Sequence, residues 1–373
     1  MAKNWTSKVV EECQICESKE LEPLLFLGYL PPVNQFHAIG SKPREQPSYP
    51  AQLLLCKHCN LVQLGLVVHP TILFPKEYPY TSSTTKILRD NFAELYQEAS
   101  SLIPLQKNDL IIDIGSNDGN LLSNFKTNHQ VLGVTPEDIG KIAIERGIPT
   151  ILDYFKDDVV KKIKKEHGKT KIITATNVFA HIDNPNHITE LILDLLQDDG
   201  VFISESHYIA PLIEMLQYDT IYHEHLRYYS LHSLKYLLEK HGFEIFHAKR
   251  IPTHGGSIRV YAARQGTYKL NESVSKILKE EKKTILDIDY LKEFGNKVMF
   301  SKLELHALLL DLKKQKKRIV GISAPSRAST LVNYVGLDVN ILDSILEIKG
   351  SHKIGKYMPG TLIPVLEESK LFE

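Results

Sequence analysis

The sequence predicts an α/β protein with more than one domain, and three of its features support this. Apolar, β-branched runs alternate with helical patterns over residues 86–205, which is the order expected of βαβ units with a parallel sheet. A second strand-turn-helix pattern begins at Arg318, and two C-x-x-C pairs precede both patterns. The chain has 373 residues, which is enough for two or three domains with their own hydrophobic cores.

The composition indicates no macromolecular partner. Lys and Arg together number 45, as do Asp and Glu, so the formal net charge is zero and attracts neither nucleic acid nor a membrane surface. No apolar run approaches the roughly 20 residues that span a bilayer, and Met1–Ser18 lacks the apolar core of a signal peptide. We expect a cytoplasmic monomer or dimer that binds neither nucleic acid nor membrane.

The four cysteines of the chain form two C-x-x-C pairs, Cys13 with Cys16 and Cys56 with Cys59. Two such turns supply the four thiolates that hold a tetrahedral zinc ion. Disulfides and free thiols are the alternatives, and a cytosolic chain makes disulfides less expected. Four thiolates leave no open coordination position, so we expect a structural zinc ion and not a catalytic one.

The stretch Asp109–Phe125 has the pattern of a strand, a tight turn and a helix. Its apolar run Leu110–Ile114 is followed by Gly115 and Gly119. Glycines let the backbone approach a ligand closely, and the start of a helix offers free N–H groups to an anionic group. The spacing D-x-G-x-x-x-G differs from the G-x-G-x-x-G of dinucleotide sites, so it favours S-adenosylmethionine over NAD. A turn that binds nothing is the alternative.

Polar residues near this turn are candidate cofactor ligands. Asn117 can donate to the carboxylate of the methionine part, and Asp113 or Asp118 can attract its amino group or the sulfonium region. In α/β nucleotide sites an acid at the end of the second strand usually accepts bonds from the ribose hydroxyls. Thr135 takes that place here, and Glu137 could substitute for it.

The segment Tyr218–His232 carries the densest group of polar residues. Its paired histidines, His223 and His225, are spaced by one residue, but the segment has no H-E-x-x-H spacing for a catalytic metal. A histidine beside a carboxylate such as Glu224 can instead act as a general base, while tyrosine hydroxyls donate to a developing oxyanion. That arrangement suits proton removal beside a carbonyl. A polar loop whose histidines bond only to backbone is the alternative.

Three further stretches carry candidate ligand groups. Leu73–Phe92 is rich in hydroxyl groups and lies between two predicted domains, where ligand clefts tend to form, although a linker with surface tyrosines is the alternative. His254 and two glycines precede the strand Ile258–Ala263, where backbone can approach a ligand closely. The turn Ala324–Thr330 places hydroxyl groups and Arg327 at a helix start, which suits a phosphate group.

Two stretches of the carboxyl-terminal part complete the pattern. Asn271–Leu312 is a long helical stretch rich in Lys and Glu, which is typical of a solvated connector helix or hairpin. The basic loop Lys349–Lys353 follows the apolar run Ile345–Ile348. Two Rossmann-like halves that face each other would enclose two ligands, and we expect the second ligand to carry a diphosphate.

With these motifs placed, the chain resembles the sugar C-methyltransferase family, which methylates C3 of nucleotide-linked 4-keto-deoxysugars. The resemblance covers nearly the whole length and rests on motifs that occur in order: the C-x-x-C pairs, EYPYTSS, DIGSNDGNLL, NVFAHIDN, DTIYHEHLRYYSL, HGGSIRVYAAR and HKIGKYMPG. It implies a zinc-binding domain over residues 1–75, a Rossmann-like SAM-dependent methyltransferase domain over 76–266, and a second Rossmann-like domain over 267–373 that helps to hold the sugar nucleotide.

The resemblance also implies roles for individual residues. His225 would take the C3 proton with Tyr222 and Glu224 beside it, Tyr80 and His181 would line the site, and the resulting enolate would attack the sulfonium methyl group. The candidate cofactor contacts are Tyr78, Ser83, Asp113, Gly115, Ser116, Asn117, Gly119, Thr135, Glu137, Asn177 and Ala180. The candidate substrate contacts are His223, Tyr229, His254, Gly255, Arg327, His352 and Lys353.

Several positions depart from the family pattern, and they concern nucleotide recognition. The usual ribose-binding acid is Thr135, and the usual Gly and Asn after Arg327 are Ala328 and Ser329. An Asn-Pro pair in the basic loop is Gly350-Ser351, and a glutamine is Ile354. An O- or N-methyltransferase of a related sugar nucleotide and a non-catalytic zinc-ribbon scaffold are the alternative functions.

Overall fold

The computed structural model describes residues 7–42, 45–73 and 85–372. Within these ranges the chain forms a seven-stranded, a five-stranded and a four-stranded sheet, together with one two-stranded ribbon. The α/β class predicted from the alternating patterns is confirmed. None of the helices in these ranges combines the length and the apolar character that crossing a bilayer requires.

The amino-terminal elements are short strands and one helical turn. In chain order they are β1 (Lys8–Val9), β2 (Leu21–Leu30), β3 (His37–Ala38), β4 (Tyr49–Cys56), β5 (Val62–Leu64), β6 (Leu66–Val67) and α1 (Pro70–Leu73).

The middle region alternates between strand and helix. Its elements are α2 (Lys86–Leu102), β7 (Leu110–Ile114), β8 (Gln130–Val134), α3 (Gly140–Glu145), β9 (Thr150–Ile151), α4 (Asp157–His167), β10 (Thr170–Thr176), α5 (Pro185–Leu195), β11 (Leu196–His207), α6 (Ile209–Glu214), β12 (Arg227–Tyr228), α7 (Leu231–Lys240), β13 (Phe243–Ile251) and β14 (Ser257–Arg264).

The carboxyl-terminal elements begin with two helices and continue with a second α/β unit. They are α8 (Glu272–Glu281), α9 (Ile288–Lys314), β15 (Val320–Ile322), α10 (Ser326–Val335), β16 (Ser344–Glu347), β17 (Lys356–Tyr357) and β18 (Pro364–Glu367). The strands β15, β16 and β18 pair in parallel, which is the arrangement that the second strand-turn-helix pattern predicts.

The seven-stranded sheet sets the position of the expected ligand site. Its strand order is β13-β14-β11-β10-β7-β8-β9, and β14 is antiparallel to both of its neighbours while the other pairs are parallel. Alternate residues of β7 pack into two separate hydrophobic cores, with Ile112 in one and Ile111 in the other, because both faces of the sheet are covered. The strand order reverses between β7 and β10, and ligands of such sheets bind at the carboxyl ends of the strands at that point.

One helical prediction is wrong, and a second, which left open a single helix or a hairpin, is made specific by the structure. After Gly119 the chain forms only a 3-10 turn, Leu122–Asn124, and not a regular helix. The side chains of Ser123 and Asn124 both donate to the carbonyl oxygen of Asn120, which competes with the helical hydrogen bonds. The long stretch Asn271–Leu312 is two helices, α8 and α9, and the Asp287 side chain caps the second by accepting from the N–H groups of Asp289 and Tyr290.

Two short strands pair with distant parts of the chain. Arg227 on β12 lies opposite Gln63 on β5, so the middle region adds a strand to the amino-terminal sheet, whose order is β12-β5-β4-β2. His37 on β3 lies opposite Tyr357 on β17, so the amino-terminal region adds a strand to the carboxyl-terminal sheet, whose order is β15-β16-β18-β17-β3. The amino-terminal region is therefore hydrogen-bonded to both of the other regions.

A buried ion cluster holds α2 against the seven-stranded sheet. Arg259 on β14 and Glu205 on β11 are both fully buried, and the Nε of Arg259 donates to Glu205 over 2.6 Å. The same guanidinium donates to Glu94 and Glu98 of α2, each over 2.7 Å. Because removing one partner of a buried ion pair leaves an uncompensated charge, this cluster fixes the position of α2 on the sheet.

Candidate active site and metal centre

The four cysteines meet at one point in the amino-terminal region. Their sulfur atoms all lie within 4.8 Å of one another, and the Cys13–Cys59 and Cys16–Cys56 sulfur distances are both 3.4 Å. Thiolates at about 2.3 Å from a tetrahedral zinc ion lie about 3.8 Å from one another, so the observed cluster fits this ion. None of the four cysteines is in a disulfide, and three of them are buried, as expected of a closed structural site.

The two C-x-x-C turns have the same local structure. The N–H of Glu17 donates to the carbonyl oxygen of Cys13, and the N–H of Asn60 donates to that of Cys56, each over 2.9 Å. Glu17 and Asn60 both adopt positive φ angles, which ends each turn after a single hydrogen-bonded loop. Each turn therefore presents its two thiols on one side.

The turn after β7 forms a cradle at the point where the strand order reverses. Gly115 has a φ of +73°, and a Cβ atom there would lie 2.4 Å from a methyl group of Val178. Gly119 has a φ of +78°, and its Cβ would lie 2.6 Å from Ile148. Asn117 and Asn177 also adopt positive φ angles. A side chain at either glycine would displace Val178 or Ile148 and change the shape of the turn. The glycines leave the backbone of the turn open to a ligand, so the residues present fit S-adenosylmethionine.

Three buried polar atoms at this edge have no hydrogen-bond partner within the part of the chain that the structure describes. They are the hydroxyl groups of Ser116 and Thr135 and the side-chain oxygen of Asn177. Buried polar atoms are almost always bonded in native proteins, to protein, water or a ligand. All three residues are among the cofactor contacts predicted from the sequence, which stay predictions.

Two of the acids near the cradle, Asp113 and Glu137, are in different environments. Asp113 is buried, its carboxylate accepts from the Thr174 hydroxyl over 2.6 Å, and burial with the nearby Glu205 raises its pKa to about 7. Glu137 lies after β8, and burial raises its pKa as well. Asp113 is thus part of the support beneath the turn, whereas Glu137 and Thr135 lie together at the end of β8.

The orientation of His225 is fixed by the backbone of its own segment. The Nδ1 of His225 lies 2.9 Å from the carbonyl oxygen of Thr220. A carbonyl oxygen only accepts, so Nδ1 carries the hydrogen and Nε2 carries the lone pair. Among the described residues, none is bonded to this Nε2. The Tyr222 ring lies beside the imidazole, with centroids 4.2 Å apart.

His225 belongs to a cluster of four histidines. The ring of His225 lies 5.1 Å from that of His181 and 4.7 Å from that of His207, and His207 lies 5.6 Å from His254. Burial and the neighbouring histidines lower the pKa of His225 well below its usual value, and the same causes lower the pKa of His207 to about 3. The cluster is therefore neutral at neutral pH, and each imidazole keeps a lone pair.

The segment that follows β10 is tied to the His225 loop. The Nδ1 of His181 donates to the carbonyl oxygen of Glu224 over 2.5 Å, and the N–H of Leu226 donates to the carbonyl oxygen of Ala180 over 2.9 Å. The guanidinium of Arg227 donates to Asp183 over 2.8 Å. These bonds bring the NVFAHIDN and YHEHL motifs to one place, as the sequence motifs suggested.

Other candidate residues contact the protein itself. His223 donates to the carbonyl oxygen of Pro50 over 3.1 Å, and the Tyr229 hydroxyl donates to Phe179 over 3.3 Å. Gly255 accepts from Gln217 over 2.7 Å, and a Cβ at Gly255 would lie 2.1 Å from that side chain. The Tyr78, Tyr80 and Ser83 side chains lie outside the described residues.

The carboxyl-terminal candidates lie around the start of α10. Arg327 forms a two-pronged ion pair with Asp219, over 2.7 and 3.0 Å, directly before the His225 loop. The Nζ of Lys353 donates to the carbonyl oxygen of Ala324 over 2.6 Å, and burial lowers its pKa. His352 is exposed, and partial desolvation together with the adjacent Lys353 lowers its pKa.

Two residues of this site were not anticipated from the sequence. His207 ends β11 at the ligand edge of the sheet, so the rule that ligands bind at strand carboxyl ends could have identified it. Asn34 donates to the Glu224 carboxylate over 2.7 Å. No local pattern marks Asn34, because its partner is distant in the sequence.

We predict that the protein binds about one zinc ion per chain and that Cys56→Ser lowers both the metal content and the unfolding temperature, because a structural zinc site contributes folding free energy. Metal analysis and thermal unfolding measure this. Lys57→Ala changes an exposed neighbour in the same turn and is the matched control. Less than about half an ion per chain in metal-replete protein, or an unchanged metal content in Cys56→Ser, would contradict the assignment.

Gly115→Ala is predicted to weaken binding of S-adenosylhomocysteine by at least about tenfold, because the new Cβ displaces Val178 beside Asn177. Calorimetric titration measures the affinity. Gly147→Ala is the matched control, since Gly147 has the same φ of +73° but nothing within 4 Å of the position of its Cβ. Equal affinities in the two variants would show that the turn after β7 does not contact the cofactor.

Comparisons with known proteins assign the three regions of the chain. Residues 13–74 match a family model described as "Putative zinc binding domain", residues 85–248 match "Methyltransferase domain", and residues 252–373 match "C-methyltransferase C-terminal domain". The chain is 28% identical over 363 residues to C-methyltransferase NovU of Streptomyces niveus, which covers 95% of this chain and 85% of that protein.

Solved methyltransferases are similar to part of the chain. Magnesium protoporphyrin IX methyltransferase from Synechocystis with bound SAH has a TM-score of 0.38 and 14% identity, and covers 48% of this chain and 83% of its own. The CcbJ methyltransferase from Streptomyces caelestis has a TM-score of 0.38 and 11% identity, and covers 47% and 89% respectively. Taken with the cysteine cluster, the three family models and the NovU relative identify the chain as an S-adenosylmethionine-dependent methyltransferase that is similar to C-methyltransferases and carries a zinc-binding domain.

Proposed function

We propose that this enzyme methylates C3 of a nucleotide-linked 4-keto-deoxysugar through an enolate that forms when His225 removes the C3 proton. The observation that carries the proposal is the state of His225, a buried neutral imidazole whose Nδ1 is bonded to Thr220 and whose Nε2 keeps its lone pair. The similarity to NovU, a C-methyltransferase, supports transfer to carbon.

The proposed reaction has two steps, proton removal and methyl transfer. In the first, Nε2 of His225 accepts the C3 proton, and the electron pair of the C–H bond is delocalised onto the C4 oxygen. S-adenosylmethionine, held by the glycine turn after β7, would supply the methyl group from its positively charged sulfur. The enolate carbon would take this group, and the electron pair of the broken S–C bond would stay on sulfur. The proton on His225 then passes to solvent.

The environment of His225 explains why the substrate needs an adjacent ketone. A histidine whose pKa is lowered by burial is a weak base, so it can remove a proton only from a carbon that a carbonyl group has acidified. Burial also raises the pKa of Tyr222 well above its usual value, so its hydroxyl stays protonated and can donate to a developing oxyanion. Neutral donors and a neutral base suit enolate formation.

Support for the cofactor contacts comes from the edge of the seven-stranded sheet. We propose that Gly115, Ser116, Asn117 and Gly119 hold the methionine part and that Asn177 contacts the cofactor at the end of β10. The remaining proposed contacts are Tyr78, Ser83, Asp113, Thr135, Glu137 and Ala180. Tyr80 and His181 are proposed to line the same site.

We propose that the diphosphate of the sugar nucleotide binds at the start of α10. Arg327 and Lys353 lie there, and the guanidinium of Arg327 already holds the carboxylate of Asp219, a planar anion comparable to a phosphate oxygen pair. His223, Tyr229, His254, Gly255 and His352 are the further proposed substrate contacts. The proposed domain boundaries are 1–75, 76–266 and 267–373.

A methyl-transfer assay across 4-keto-deoxysugars linked to different nucleoside diphosphates tests the proposal. We expect a product whose NMR spectrum shows a new methyl group bonded to C3, and we expect His225→Asn to reduce kcat by about 10²–10⁴-fold without changing S-adenosylhomocysteine affinity. A methoxy or methylamine signal would contradict transfer to carbon. A methyl group on C5, the other carbon beside the ketone, would contradict the position but keep the enolate.

A further inference from the structure

Asn34 joins the catalytic loop to the start of α10. It lies in the amino-terminal region, and its side-chain amide bonds in two directions. Its Nδ2 donates to a carboxylate oxygen of Glu224 over 2.7 Å. Its Oδ1 accepts from the hydroxyl of Ser326, the first residue of α10, over 3.1 Å. A single side chain therefore contacts two segments that are far apart in the sequence.

The Glu224 carboxylate decides the orientation of this amide. A carboxylate oxygen that carries no hydrogen only accepts, so the NH2 group of Asn34 faces Glu224. The opposite orientation would place two acceptor oxygens against each other with no hydrogen between them, whereas the Ser326 hydroxyl can either donate or accept. The half-buried position of Asn34 keeps much of the surrounding water away, which makes a mismatched contact more costly.

Two other contacts hold the same loop against the first turns of α10. Arg327 pairs with Asp219, and the Thr330 hydroxyl donates to the carbonyl oxygen of Ile221 over 3.4 Å. Helix α10 therefore holds the loop that carries Glu224 and His225 in two ways. It contacts the loop directly, and it contacts the loop through Asn34.

Glu224 matters to the site through its backbone as well as its carboxylate. Its carbonyl oxygen accepts from Nδ1 of His181, and the next residue is His225. A shift of Glu224 therefore moves both histidines. A hydrogen bond that fixes the Glu224 side chain therefore also helps to fix the imidazoles of His181 and His225.

We propose that Asn34 is a positioning residue for methyl transfer, which links the α10 end of the substrate site to Glu224 and His225. The proposal rests on the proposed function, because it takes the start of α10 as the seat of the diphosphate. Asn34 acts through its bonds to Glu224 and Ser326. Binding of the diphosphate at α10 then favours the aligned catalytic loop.

The test compares Asn34→Ala and Asn34→Asp with the parent on the keto-sugar nucleotide that the methyl-transfer assay identifies. Gln35→Ala is the matched control, because Gln35 is the next residue, is also half-buried, and its side chain bonds, among the described residues, to the backbone of Ile72. Asn34→Ala should lower kcat by about tenfold or more, while S-adenosylhomocysteine affinity and the unfolding temperature match those of Gln35→Ala.

The pH dependence of Asn34→Asp separates positioning from a general loss of structure. The introduced carboxyl group meets the Glu224 carboxylate, and two like charges at one place raise the pKa of the pair. Once protonated, the introduced group can donate to Glu224 as the amide does. The activity of Asn34→Asp relative to the parent should therefore rise severalfold as the pH falls from about 8 to about 6.

A double-mutant cycle tests the link to α10. Ser326→Ala should lower kcat less than Asn34→Ala, and the double variant should be no slower than Asn34→Ala alone, because both remove the same connection. Parent-like kcat in Asn34→Ala, a relative activity of Asn34→Asp that does not change with pH, or additive effects in the cycle would each overturn the inference. A parent enzyme that methylates no 4-keto sugar nucleotide would instead refute the proposed function.

Discussion

The hydrogen bond from Nδ1 of His225 to the carbonyl oxygen of Thr220 is the interaction on which the proposed chemistry depends. It selects the tautomer with a lone pair on Nε2 and points that atom away from its own loop. The histidine cluster and burial then keep the ring neutral, as the lowered pKa of His225 indicates. Without this bond, the same residues would be a cluster of four imidazoles with no defined base.

The loop around His225 is held by all three parts of the chain. On the amino-terminal side, β12 pairs with β5 and Asn34 bonds to Glu224. Within the methyltransferase domain, His181 bonds to the Glu224 carbonyl, and on the carboxyl-terminal side Arg327 pairs with Asp219. A zinc site that takes no part in the chemistry therefore still bears on it, because it stabilises the sheet to which β12 is added.

The sequence predicted those features that have a local pattern. The α/β class, the strand before Gly115 and the cysteine pairs follow from apolar runs, glycines and spacing, and the structure and the family comparisons agree with them. The prediction of a helix after Gly119 was wrong, because side-chain hydrogen bonds to the Asn120 carbonyl oxygen compete with the helical hydrogen bonds. Asn34 and the pairing of β3 with β17 could not be predicted, since they join segments that no local pattern relates.

Exchange of the substrate's C3 hydrogen for deuterium in heavy water, with S-adenosylhomocysteine in place of the methyl donor, tests the central claim most directly. It isolates proton removal from methyl transfer and follows one hydrogen by NMR. We predict that the C3 hydrogen exchanges faster with the parent enzyme than without enzyme. With His225→Asn, whose cofactor affinity is intact, it should exchange at least about 100-fold more slowly than with the parent. Equal exchange rates in the parent and His225→Asn would contradict the assignment of His225 as the base.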